Sequence, residues 1–370
     1  MATLGLIFSN IRDKEIFEVT RERTIASTPI GGRYRLIDFA LSNMVNNGIS
    51  HIGVVTKNNY QSLMDHVGSG KDWDLARKRG GLVILPPYGI SQNVYNSRLE
   101  ALKSIKQFIS KANEEYVVLT DCYYVCNLDY KPIFKQHFAT NADITCVYRK
   151  KNVTADDYMP INVFEVDADN TITAMNIHQE FIGEANVSAD TWIMKRELLV
   201  QLVEQAIEHN WKSFNRDILR ENLHRLKIGG YRFDGYFGSL SSMDSYYQIN
   251  MDLKEEAIRN EIFYQKGRSI YTKVRDSAPT KYGFHAKVIN SIIADGCTID
   301  GYVENSVLFR GTHVAQGASV KNSILMQATK VKENAVLDYV VTDKNVKIVE
   351  VNELVGQKDK VIYIRKDGVV

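Results

Sequence analysis

Asn290-Ser291-Ile292-Ile293, Asn305-Ser306-Val307-Leu308, Asn322-Ser323-Ile324-Leu325 and Asp338-Tyr339-Val340-Val341 recur along the chain at intervals of 15, 17 and 16 residues. Neither a helix nor a simple hairpin explains that recurrence. Between the tetrapeptides, aliphatic residues fall six apart, as in Ile293 to Ile299, Val314 to Val320 and Leu325 to Val331. A six-residue aliphatic step marks a parallel β-helix, in which each short strand stacks its inward side chain on the coil below. Stacked strands need their backbone donors, and no proline follows Pro279. The spacing predicts a β-helix over residues 286–370.

Upstream the pattern changes. From residue 1 to 255 short apolar runs alternate with helix-period segments, which predicts strands wound with helices into a mainly parallel sheet. The run Thr3 to Phe8 reads as a first strand, and Ile37, Leu41, Met44 and Val45 share one helical face ending at Gly48. The strand Ile52 to Thr56 follows. A second unit runs from the helical face of Leu99, Leu102, Ile105 and Ile109 into the strand Tyr116 to Thr120, which ends on Asp121. Residues 256–285, with helical Glu256-Ala257-Ile258 and then Ser277-Ala278-Pro279, read as the connection between two domains.

A chain of 370 residues is long enough for two such cores. Its formal net charge of +2 gives no electrostatic reason to expect nucleic acid or a membrane surface. The basic runs Arg77-Lys78-Arg79 and Arg149-Lys150-Lys151 read as exposed turns. Four dispersed cysteines cannot staple the chain, and the C-x3-C pair Cys122 and Cys126 lacks partners for a tetrahedral metal site. Without a signal pattern or a membrane-length apolar run, the expected compartment is the reducing cytoplasm. Gly68-Ser69-Gly70-Lys71 lacks the first glycine of a P-loop, and Asp72 stands where Ser or Thr would hold Mg2+.

The run Pro29-Ile30-Gly31-Gly32-Arg33-Tyr34-Arg35-Leu36-Ile37-Asp38-Phe39-Ala40-Leu41-Ser42-Asn43 closely resembles the segment that follows the catalytic loop in bacterial ADP-glucose pyrophosphorylases (glucose-1-phosphate adenylyltransferases). Further resemblances follow in that family's order. They are Gly70-Lys71-Asp72-Trp73-Asp74-Leu75, Asp121 with Asp129-Tyr130, Asp244-Ser245-Tyr246-Tyr247 continuing to Asn250-Met251-Asp252-Leu253, Ser269-Ile270-Tyr271-Thr272, and Asp343-Lys344-Asn345-Val346. The resemblance implies a Rossmann-like, GT-A-like nucleotidyltransferase domain followed by a left-handed parallel β-helix, serving glycogen synthesis.

An active member holds a nucleoside triphosphate, neutralises its charge and positions glucose 1-phosphate for in-line attack with Mg2+. Phosphates are cradled by the backbone N–H groups of a glycine-rich loop after the first strand, because glycine lets the backbone come close. Here Ser9-Asn10-Ile11-Arg12-Asp13-Lys14-Glu15-Ile16-Phe17 occupies that place, with no glycine between Gly5 and Gly31. Against the family's R-A-K-P element stands Arg23-Thr24-Ile25-Ala26, so Ile25 replaces the phosphate-neutralising lysine. The family's G-T-A-D-A element corresponds to Ser97-Arg98-Leu99-Glu100-Ala101, with bulk where small residues are expected. His178 replaces the lysine of the sugar-phosphate E-K-P element, and Ser239 the aspartate that completes the metal site. Of the two metal carboxylates only Asp121 survives, as a relic.

These departures imply a GlgD-type, non-catalytic regulatory subunit with no catalytic residue, metal or cofactor of its own, Mg2+ being expected for its catalytic partner. The implied assembly is a heterotetramer with a catalytic ADP-glucose pyrophosphorylase subunit. Arg23 and Arg35 match family positions associated with phosphorylated effectors, a phosphorylated sugar among them, a solvated or inter-domain salt-bridge role being equally open for both. The alternatives are an active sugar-phosphate nucleotidyltransferase with an unorthodox loop, or an acyltransferase built on the β-helix, for which His285 and His313 offer no clear catalytic motif. His66, His137 and His178 lack second ligands at metal spacing and read as surface or packing residues.

Overall fold

The computed structural model describes residues 2–13, 16–87, 95–154, 161–179 and 181–370, with the side chains of 178 and 179 excepted. The first half is built on a nine-stranded sheet. Its parallel part comprises β1 (Thr3–Phe8), β2 (His51–Val55), β3 (Gly81–Leu85) and β4 (Tyr116–Asp121), in the order β4-β1-β2-β3. Helix α1 (Leu36–Asn46) connects β1 to β2 and α2 (Arg98–Ser104) precedes β4. The β1 residues are buried on both faces, as expected when helices cover a parallel sheet.

The sheet is mixed rather than mainly parallel. β5 (Ile144–Val153), β6 (Ile161–Val166), β7 (Ile172–Gln179), β8 (Gly183–Lys195) and β9 (Ile228–Arg232) extend it beyond β4. β8 runs antiparallel to β4, β5 and β6. The physical reason is the chain between them: no helix separates β5 from β8 among the described residues, and strands joined without a crossover pair antiparallel. The basic run Arg149-Lys150-Lys151 lies within β5 rather than in a turn.

The second half winds into three five-stranded parallel sheets, one for each side of a coil. Its inward aliphatic side chains, among them Ile299, Val314, Val320, Leu325, Val331 and Leu337, are fully buried. The first coil opens with Lys281–Tyr282, paired to Thr298–Ile299, inside the stretch read as connection. One register differs from the sequence reading. Ile324 pairs with Val341, so the Asn322 position recurs at Tyr339 and the last interval is 17 residues. Asn290, Asn305 and Asn322 adopt φ of 42°, 47° and 44°, and Tyr339 adopts 53° at the equivalent turn. Asparagine is enriched in that left-handed conformation, which drew the match one residue early to Asp338.

The halves share one hydrophobic cluster, which takes in Ile25, Ile30, Tyr246 and Leu253 from the first and Phe309, Ile324, Met326 and Val341 from the β-helix. A tight hairpin, Pro29–Ile30 against Tyr34–Arg35, reaches into this seam. Its turn needs glycine twice over. Gly31 and Gly32 have φ of 58° and 84°, and a side chain on Gly31 would strike Leu253.

Candidate functional site

The erased phosphate loop leaves the carboxyl end of β1 at Phe8, which lies beside Asp121 at the end of β4. In open α/β sheets this edge is where ligands bind. Here it holds a buried ion cluster. Arg98 donates from Nε and Nη2 to the two oxygens of Asp121, at 2.9 and 2.5 Å. The same Nη2 stands 3.7 Å from Asp190. Arg12, from the loop itself, donates to Asp190 at 2.6 Å, as does the Tyr123 hydroxyl at 3.1 Å. Both carboxylates are essentially sequestered from solvent.

Local structure explains why these groups meet. Ser97 caps α2 by accepting the Glu100 N–H, which starts the helix at Arg98 and directs that side chain over the sheet edge. Its guanidinium lies 4.4 Å from the centre of the Trp192 ring and 5.7 Å from that of Phe8. Asp190 sits in a break of register between Ser188 and Trp192 of β8, at a φ of 45°. Burial works against the Asp190 charge, but the Arg12 and Arg98 guanidiniums outweigh it and hold the carboxyl below its ordinary range.

A Mg2+ ion requires several oxygen ligands in near-octahedral array. The residues do not fit one. Both Asp121 oxygens are committed to Arg98, and the Ser239 hydroxyl accepts from Arg149 at 3.3 Å. No group of three metal-ligating side chains occurs among the described residues. All four cysteines are free and buried. Ile25, fully buried, belongs to the hydrophobic core, and its N–H donates to the Asp13 carboxylate at 2.8 Å. The side chain of His178, like Lys14 and Glu15 of the loop, lies outside the described residues, although His178 falls within β7.

A second cleft opens at the seam between the halves. Arg33 and Arg35 of the hairpin face Arg275 of the connection and Arg310 and Lys344 of the β-helix across it. His66 completes the lining, held by Asp38 at 2.5 Å. Asp38 also accepts the Arg35 N–H at the start of α1, so one carboxylate fixes both the helix and the histidine. Five cations converge, of which only Arg310 has a carboxylate within ion-pair distance among the described contacts, Asp295 at 2.9 Å. Burial first, then Arg35 and Arg23, push the Lys344 amine down to about 7. Burial likewise brings Arg35 down to about 10. A set of cations that repel one another in this way is built to receive an anion.

Arg23 and Arg35 are placed differently. Arg35 lines the cleft and donates to the backbone and hydroxyl of Ser62. Arg23 lies behind it, buried, with Nη2 2.7 Å from Asp343 of the β-helix. The single Tyr363 hydroxyl lies between the same carboxylate, at 2.9 Å, and the Glu18 carbonyl, at 2.8 Å, so Arg23 and Tyr363 both tie the Asp343 region to the first half. His137, buried, shares a hydrogen bond with Thr145. Arg12 and Lys344 stand in the sequence only as members of longer runs, and Asp190 lies outside every motif read there. The only signal for Arg12 and Asp190 was the bulk of Arg98, which requires a counter-charge.

A nucleotidyl transferase model matches residues 14–158, and a model of the GlmU-like C-terminal hexapeptide matches residues 277–368. The glycogen biosynthesis protein GlgD of Bacillus subtilis is 32% identical over 369 residues, covering 98% of this chain and 95% of the relative. The chain belongs to the ADP-glucose pyrophosphorylase family. Other similar members are the GlgD protein of Geobacillus stearothermophilus, 33% identical over 86% of this chain and 82% of its own, and the glucose-1-phosphate adenylyltransferase of Fervidobacterium nodosum, 30% identical over 92% and 83%. The family fold accounts for the mixed sheet and the β-helix. Among the described residues no helix is long and apolar enough to cross a membrane.

Proposed function

We propose that this chain is a catalytically silent regulatory subunit of ADP-glucose pyrophosphorylase, acting in glycogen biosynthesis in the cytoplasm. It assembles, as a heterotetramer, with a catalytic paralogue that makes ADP-glucose from ATP and glucose 1-phosphate. The observation that carries the reading is the ion cluster of Arg12, Arg98, Asp121 and Asp190, which puts guanidiniums on the carboxylate oxygens that the metal of a bound triphosphate would need open. Loss of a single electrostatic stabiliser commonly costs about 3 kcal/mol of transition-state stabilisation, and here Ile25 and Ser239 add to the loss. The substituted positions Ile25, His178 and Ser239 thus mark abandoned chemistry, with Asp121 a relic.

Regulation is assigned to the seam. A phosphorylated sugar would meet Arg35, Arg275, Arg310 and Lys344, which belong to both halves, so binding would act on their relative positions. Arg23 supports that arrangement through Asp343. The test is kinetic. The purified chain is assayed alone for ADP-glucose formation, and the catalytic partner is assayed with and without it across a titration of phosphorylated sugars. The expected result is no turnover alone and a changed effector response in the mixture. Brisk ADP-glucose formation by the chain alone would overturn the proposal.

A further inference from the structure

We infer that the Arg98 guanidinium is a tethered substitute for a bound cation, and that it keeps shut a divalent-cation site whose ligands are Asp121 and Asp190. The inference rests on the reading of this chain as silent and says how silence is held. It is carried by the position of a single nitrogen. Arg98 Nη2 lies 2.5 Å from an Asp121 oxygen and 3.7 Å from an Asp190 oxygen, so one cationic centre faces both carboxylates at once. Arg12 holds the far side of Asp190 at 2.6 Å and stands 3.9 Å from Asp121. Removing Arg98 takes a positive charge away from two carboxylates that are each about 1% exposed. An uncompensated buried carboxylate is costly, and a hard cation with oxygen preference offsets that cost.

Two further observations separate this from an ordinary buried ion pair. Arg98 is itself about 7% exposed and its guanidinium packs against Trp192, which holds the head group over the two carboxylates. Asp190 is held at a φ of 45°, inside a strand whose register breaks around it, and there its carboxylate meets Arg12 and Arg98 rather than continuing the ladder. The strain is spent on presenting a second carboxylate to the guanidinium.

The test uses the full chain and Mn2+ as probe, with free Mn2+ measured by electron paramagnetic resonance. The set is the wild type, Arg98→Ala, Arg98→Met, Arg98→Lys and the double variant Arg98→Ala/Asp121→Asn. Arg98→Ala and Arg98→Met are expected to bind one Mn2+ per chain at least about tenfold more tightly than the wild type, through the Asp121 oxygens that Arg98 has vacated and the near side of Asp190. Arg98→Lys and the double variant are expected to stay blind to the ion. Mn2+ should raise the unfolding temperature of Arg98→Ala and leave the wild type unchanged. If Arg98→Ala is unfolded in metal-free buffer, recovery of its circular dichroism with Mn2+ but not with Na+ supports the inference, and failure to recover counts against it. Equal binding by the wild type, no binding by a folded Arg98→Ala, or binding retained in the double variant overturns it. ADP-glucose formation by the wild type, measured on the same preparations, bears on the functional proposal alone.

Discussion

Replacing Arg23 by alanine tests whether the two halves are held by a buried charge pair or only by apolar contact. The Arg23 and Asp343 side chains are 3% and 4% exposed, and their charged atoms are 2.7 Å apart. At an effective dielectric constant near 20, opposite charges about 4 Å apart interact by about 4 kcal/mol. Deleting one partner of a buried pair costs about 3–5 kcal/mol, because the other charge stays behind without compensation. Asp343 would retain two donors, the Tyr363 hydroxyl and the Lys344 N–H, which places the expected loss at the lower end, about 3 kcal/mol. Urea unfolding, followed by fluorescence and by protease cleavage within residues 17–30, reads that loss. The double variant Arg23→Met/Asp343→Asn removes both charges and should return to within about 1 kcal/mol of the wild type. A loss below about 1 kcal/mol for Arg23→Ala, or a double variant no better than the single one, would refute the reasoning.

Lys344 gives the seam a pH dependence. Its folded pKa of about 7 lies below the ordinary lysine value, so between about 7 and 10 the unfolded chain binds more protons and stability climbs with pH. That climb should vanish in Lys344→Met, and calorimetry should show phosphorylated-sugar affinity falling as pH rises through 7 and the amine loses its charge. Asp13 has the opposite sign. Burial pushes its carboxyl up to about 7, so its contribution is present below the ordinary carboxylate pKa and is lost as pH rises through 7. Asp13→Asn should flatten that fall in a stability profile between pH 4 and about 8. Leu325, fully buried among the β-helix coils, should cost about 2–5 kcal/mol on truncation to alanine, measured by denaturant midpoint.

The β-helix was legible because its period is enforced locally: each coil must place an aliphatic side chain inward every sixth residue, and the steps Ile293 to Ile299 and Val314 to Val320 do so in plain view. The fourth turn was misread by one residue because Tyr339 occupies a left-handed position that asparagine usually signals. The parallel half of the first sheet followed from its helices. The antiparallel half did not, since apolar runs such as Val163-Phe164 and Trp192-Ile193-Met194 carry no record of which strand lies beside them. At the site, the loss of glycine and of the lysine at Ile25 could be read directly. The guanidiniums that took over could not, because Arg12, Arg98 and Asp190 are separated by long stretches of chain and only the fold closes them into one cluster.

Asp190 and Arg98 also bear on how such a chain can change over generations. An opened cleft would need Arg98 gone, yet its departure strands the Asp121 carboxylate away from water, and removing Asp121 first strands the Arg98 guanidinium. Each single step passes through a less stable protein, so reversal requires several coordinated substitutions. Selection for folding alone is then enough to keep the old chemistry from returning, a ratchet that turns without any demand from regulation.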